Sequence, residues 1–101
     1  MNPFDLMKNM QNIQQQMQEK LTLLRSTGSS GGGMVEVTIN GKMEVQNINI
    51  EPDIIDPEDP KTLELLVAGA FNNAVRNMQE QLKQEALSMT GGMNIPGMMG
   101  S

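Results

Sequence analysis

The first apolar pattern along the chain is a narrow seam. Leu6, Met10, Ile13, Met17, Leu21 and Leu24 recur at steps of three or four residues. At about 100° per residue they fall within a sector of about 80°. This spacing predicts a helix over 3–25, with Pro3 in its first turn and Asn2 as its N-cap. The seam resembles a coiled-coil edge more than the broad face of a core helix. A helix of this kind packs along one partner helix and leaves its remaining Gln, Asn and charged positions in water.

The helical period stops at STGSSGGG, residues 26–33, where no apolar residue occurs. The composition predicts a flexible linker. A phosphate-cradling loop needs a strand before it, a helix after it and a Lys-Ser/Thr pair. Here a helix precedes, a strand follows, and the pair is missing. From Met34 the period changes to two: Val35, Val37 and Ile39 alternate with Glu36 and Thr38. Asn40-Gly41 is the preferred pair for a type I′ turn, after which Met43 and Val45 resume the alternation. The next apolar residues, Ile48 and Ile50, break the phase with a step of three. That predicts a bulge at Gln46-Asn47 or the start of a third short strand, within a sheet spanning 34–50. So small a sheet needs helices on one face or another sheet at its edge.

Asp56-Pro57 and Asp59-Pro60 then offer two N-cap and first-turn pairs for a second helix, predicted over 57–87. Local capping accounts for the acidic cluster there, whose spacing does not fit a calcium loop. Leu63, Val67, Ala70, Phe71, Ala74, Met78 and Leu82 share one side of this helix. Arg76 and Lys83 lie about 20° apart on the opposite side. The apolar side is small in its middle, which permits close approach by another element. Residues 88–101, rich in Met and Gly, predict a flexible tail whose methionines no core explains.

Composition narrows the chemistry. With no Cys and no His, the usual zinc and transition-metal ligand sets are absent, as are the commonest nucleophile and general base. No enzymatic activity, cofactor or metal is expected. The N-terminus shows no apolar signal segment, and no run of about 18 apolar residues exists to cross a membrane. A cytoplasmic protein is expected. The net charge of −5 argues against nucleic acid until it is divided along the chain. Residues 34–60 set Lys42 against Glu36, Glu44, Glu51, Asp53, Asp56, Glu58 and Asp59, a net of −6, while residues 1–33 carry +1 and residues 61–101 balance. The acid is confined to the middle, and both helical segments are free of net negative charge. At 101 residues, with two stretches read as unstructured, one thin core favours oligomerisation.

Several segments in order carry a family resemblance: LMKNMQ and QQMQEK in the first helix, the Gly-rich stretch into MVEVTINGKMEV, INIEP, DPEDPKTLELLVAGAFNNAVRN and the tail TGGMNIPGMMG. Nearly the whole chain resembles the YbaB/EbfC family of bacterial nucleoid-associated proteins. The resemblance implies an α+β subunit of αβ(β)βα order, with long terminal helices around a small antiparallel sheet. It implies a homodimer formed through the sheet, tweezer-like, with helices as arms. Val35, Val37, Ile39, Met43 and Val45 become the candidate dimer contacts. It also implies duplex DNA binding in the nucleoid with little sequence preference, in nucleoid organisation or gene regulation.

Lys8 and Lys20 match basic positions of the first helix, and Arg76 follows the Asn72-Asn73-Ala74 element. Asn73 stands where the family commonly has Asp, and Asn77 where a second basic residue often follows. With Arg25 and Lys83, these cations form the candidate DNA surface. Each has a plainer reading beside it. Arg76 is four residues from Glu80, an ordinary surface pair. Lys20 borders the apolar seam and can lay its stem along it. Lys42, beside the turn, serves solubility. Too few aromatic residues exist to stack single-stranded bases, and no helix-turn-helix or zinc-finger spacing occurs. Backbone contact by a few cations and amides remains. The alternative function is a protein-interaction module of the replication or recombination machinery.

Overall fold

The computed structural model describes residues 2–90, with side chains through residue 88. Helix α1, Pro3–Leu23, is followed by strands β1 (Arg25–Ser30), β2 (Val35–Asn40) and β3 (Val45–Ile50). A single 3₁₀ turn, Pro52–Ile54, leads to helix α2, Pro60–Thr90. The strands form one antiparallel sheet in the order β1-β2-β3. One face of this sheet lies under α2. The α+β class and the terminal helices agree with the sequence; the tail beyond residue 90 lies outside the described residues.

Both helices begin as their sequences dictate. The Asn2 side chain accepts a hydrogen bond from the Phe4 amide at 3.1 Å, with Pro3 opening α1. Asp59, not Asp56, caps α2: its carboxylate accepts from the Thr62 amide at 3.3 Å and the Thr62 hydroxyl at 2.6 Å. Asp56 instead accepts from the Glu58 amide at 2.9 Å, shaping the turn before the helix. The acidic cluster is thus largely occupied with local backbone.

The core consists of Val35, Val37 and Ile39 from β2 and Ala70, Ala74 and Met78 from α2, all fully buried. This corrects the expectation for the dimer contacts. Those three β2 residues are enclosed by the chain's own helix and cannot meet a second subunit. Met43, half-buried against the core, and Val45 remain of the five.

The stretch read as a linker is a strand. Residues 26–30 pair with β2 from Ser26↔Ile39 to Ser30↔Val35, and Gly31, Gly32 and Gly33 form the reversing turn at φ 60°, 69° and 91°. These positive φ values favour glycine and account for the run. β1 carries no apolar side chain because α2 lies too close for one. A Cβ built on Gly28 would stand 2.1 Å from the Ala74 nitrogen and 2.3 Å from the Ala70 oxygen. On either side, the Ser26 hydroxyl donates to the Ala74 carbonyl at 3.0 Å and the Ser30 hydroxyl donates to the Leu66 carbonyl. Small polar residues and glycine let the sheet touch the helix backbone directly.

The second reversal also differs from expectation. Asn40-Gly41 is not a type I′ pair; Gly41 has no positive φ, and Met43 takes the left-handed conformation at φ 63°. The Met43 amide donates to the Asn40 carbonyl at 3.0 Å, so Gly41 and Lys42 occupy the centre of the turn. The Asn40 side-chain oxygen accepts from the Lys42 and Glu44 amides at 2.9 and 3.0 Å. Gly41 is needed for proximity: its amide donates to the Leu21 carbonyl at 2.8 Å, and a Cβ there would lie 2.6 Å from that oxygen. The end of α1 is thereby pinned to the turn. Beyond it, the register passes from Ile39↔Val45 to Thr38↔Asn47, leaving Gln46 as the extra residue of a bulge.

Candidate nucleic-acid interface

The two edges of the sheet are treated differently. The Asn40 amide donates toward Glu44, on the β3 side, at 3.0 Å. By the alternation of an antiparallel strand, Glu36 and Thr38 also turn toward β3, and Val35, Val37 and Ile39 toward β1. In register, the carbonyls of Thr27 and Ser29 therefore face the open side of β1. Two amides from α2 meet them: Asn77 Nδ2 donates to the Thr27 oxygen at 3.0 Å, and Asn73 Nδ2 to the Ser29 oxygen at 2.8 Å. In the sequence these asparagines stand out only as departures beside Arg76, Asn73 in place of a common Asp and Asn77 in place of a basic residue; in the structure they seal a strand edge. Their spacing of four residues matched to alternate strand carbonyls was a usable signal only once β1 was known to be a strand.

Among the described residues β3 has no such cover. It ends the sheet with no neighbour beyond it. Val45 and Ile48 are 47% and 46% exposed, although they stand opposite buried Ile39 and Val37 on the α2-facing side. Phe71, Val75 and Leu82 lie about 160–180° round α2 from Asn73, on the flank away from β1. These three are half-buried against the core. An uncovered sheet end and an apolar helix flank thus adjoin each other.

The five predicted cations do not converge. Lys20 forms an ion pair with Glu85 at 3.2 Å. That pair borders an apolar cleft of about 170 Å³ between the helices, lined by Met17, Leu21, Leu24, Leu82 and Ala86. Arg25 is turned back on α1, its Nη1 donating to the Thr22 and Leu24 carbonyls at 2.6 and 3.0 Å. It serves the carbonyl end of the helix, where a cation offsets the dipole. Lys8, Arg76 and Lys83 are exposed and form no ion pair among the described residues. The expected Arg76–Glu80 pair is not formed; Glu80 accepts from Gln84 Nε2 at 3.2 Å instead. Arg76 and Lys83 share the solvent side of α2, about 10 Å apart along its axis. Lys83 is 24 positions beyond the Asp59 cap, so about 36 Å of helix separates it from the acidic turn.

The fold is that of a small two-layer α+β subunit that carries most of its cations on its helices and most of its acid in the sheet and turns between them. The sequence matches the model of the YbaB/EbfC DNA-binding family over residues 1–93, and the chain belongs to that family. A nucleoid-associated protein of Clostridium novyi is 45% identical over 101 residues, spanning 97% of this chain and 89% of its own. One from Caldanaerobacter subterraneus is 43% identical over 97 residues, spanning 93% of this chain and 87% of its own. Among solved structures, an uncharacterized protein of Helicobacter pylori shares the fold with a TM-score of 0.60 at 30% identity. It covers 83% of this chain and 98% of its own. Among the described residues, no helix is long and apolar enough to cross a membrane, and no group of three or more His, Cys, Asp or Glu is placed to hold a metal ion.

Proposed function

We propose that the chain is a non-enzymatic, nucleoid-associated protein of the cytoplasm that binds duplex DNA as a homodimer. It holds the phosphate backbone with little preference for sequence, in nucleoid organisation or gene regulation. Arg76 and Lys83 carry the contact, with Lys8 on the other arm. The supporting observation is that these exposed cations have no acidic partner among the described residues, and that the long helix carries two of them far from the acidic turn. Lys20 and Arg25, engaged within the chain, drop to minor roles. The dimer forms where β3 is uncovered, the Phe71–Val75 flank of each copy meeting the exposed Val45 and Ile48 of the other. Membership of a DNA-binding family and the names of its relatives point the same way.

Duplex binding measured across a salt series tests this. Two cations from each subunit neutralise about four phosphates, so log K falls against log[salt] with a slope of roughly −3 to −4. The pair Arg76→Ala and Lys83→Ala weakens binding and removes most of that slope. Absence of binding at about 50 mM salt, or an unchanged slope in the double variant, overturns the proposal.

A further inference from the structure

Asn40-Gly41 is the single Asn-Gly pair in the chain, and this is the dipeptide most prone to lose ammonia from its asparagine. With no Cβ on the second residue, the main-chain nitrogen after the asparagine reaches the side-chain Cγ with little hindrance. Once that nitrogen has given its proton to hydroxide, its electron pair attacks Cγ. The N–Cγ bond forms, the bond from Cγ to the side-chain nitrogen breaks, and ammonia leaves with a proton from water. Water then opens the five-membered succinimide at either carbonyl. One product is aspartate; the more abundant one is isoaspartate, whose main chain runs through Cβ and Cγ.

The fold restrains both reactants. Gly41 is buried although it lies at the centre of a turn, and its N–H is committed to the Leu21 carbonyl of α1 at 2.8 Å. The helix end sits so close that a Cβ on Gly41 would stand 2.6 Å from that oxygen. Asn40 is 3% exposed. Its Oδ1 accepts from the Lys42 and Glu44 amides, and its Nδ2 donates to Glu44 Oε1 at 2.8 Å. The turn thus holds the electrophile, and α1 covers the nucleophile.

We propose that Asn40 is a latent deamidation site guarded by the last turn of α1, and that its isoaspartyl product keeps that turn detached. A helix end opens locally at less cost than the whole domain unfolds, so the Leu21–Gly41 contact breaks while the sheet persists. Each opening presents the Gly41 nitrogen to hydroxide. The isoaspartyl linkage adds a main-chain atom between two fixed points, the Asn40 amide on the Glu44 carbonyl and the Gly41 amide on the Leu21 carbonyl. The register that offered Gly41 to α1 is then lost.

The full chain is incubated at mildly alkaline pH, folded and in concentrated urea. The peptide holding Asn40 is followed by mass spectrometry with isoaspartate detection. The folded chain reacts at least about tenfold more slowly; equal rates overturn the proposal. Leu21→Asp puts a charge in the apolar cleft beside Leu82 and Ala86 and unseats the helix end. It raises the folded rate severalfold while the β1–β2 amides keep their protection from exchange. An unchanged rate shows that the turn alone guards Asn40, and overturns the proposal. Should that variant not fold, the parent decides in rising urea below its unfolding transition. There the reaction follows amide exchange in the last turn of α1, ahead of the β1–β2 ladder; a rate that rises only with the ladder is the contrary result. Finally, chain aged in urea, enriched in isoaspartate and refolded exchanges its last α1 turn faster than fresh chain. Identical exchange refutes the lasting detachment.

Discussion

Gly28 lies so close beneath α2 that a side chain there would stand 2.1 Å from the backbone nitrogen of Ala74. The obstacle is main chain, which cannot rotate aside, so Gly28→Ala must lift the helix from the sheet. Separation opens the core between Val37 and Ala70 and breaks the flanking serine hydrogen bonds. A loss of about 3 kcal/mol or more is expected, read as a lowered midpoint in urea unfolding. A variant as stable as the parent contradicts the close packing.

Asn77→Ala removes the donor to the Thr27 carbonyl. The bond is exposed, so water replaces it and stability falls by about 1 kcal/mol. Because the role is structural, the salt slope of duplex binding stays that of the parent. A flattened slope assigns Asn77 to the DNA surface instead.

Arg25→Ala separates a helix-end cation from a phosphate ligand. The carbonyls of Thr22 and Leu24 lose their donor, a loss of about 0.5 kcal/mol. Duplex affinity and its salt dependence are expected to hold within twofold. A reduction like that of the Arg76 and Lys83 pair returns Arg25 to the interface.

Gly41→Ala forces the turn away from the Leu21 carbonyl. Amide exchange in the last turn of α1 accelerates, while the β1–β2 ladder keeps its protection. Uniform acceleration across the chain contradicts local detachment.

Ile48→Glu places a charge on the uncovered inner side of β3. In a dimer built there, sedimentation shifts toward monomer with secondary structure retained. An unchanged dimer excludes β3 from that interface.

The sequence disclosed those elements whose side chains do the burying. The β2 alternation, the α2 apolar side, the Asn2 and Asp59 caps and the bulge at Gln46 all follow from apolar period or capping chemistry. β1 stayed hidden because its cohesion comes from hydroxyls, amides and the absence of a Cβ, and a run of Ser, Thr and Gly has the composition of a linker. Gly41 misled for a related reason: glycine permits both unusual φ and close approach, and the residue alone does not say which is used. The apolar face of β2 was visible, but not whether its own helix or a second chain would cover it. For the cations, residue type marked candidates; only their neighbours showed that Lys20 and Arg25, though exposed, are engaged within the chain.

The direct seating of α2 on β1 has a mechanical consequence. Contacts made through long side chains yield by rotation, whereas the Gly28–Ala74 contact sets two backbones against each other with no side chain between them. Helix and sheet then move as one rigid piece, and α2, about 46 Å long, acts as a lever with its fulcrum near Gly28. In the proposed DNA complex, tension on a duplex held at Lys83 is delivered to the sheet as torque through β1.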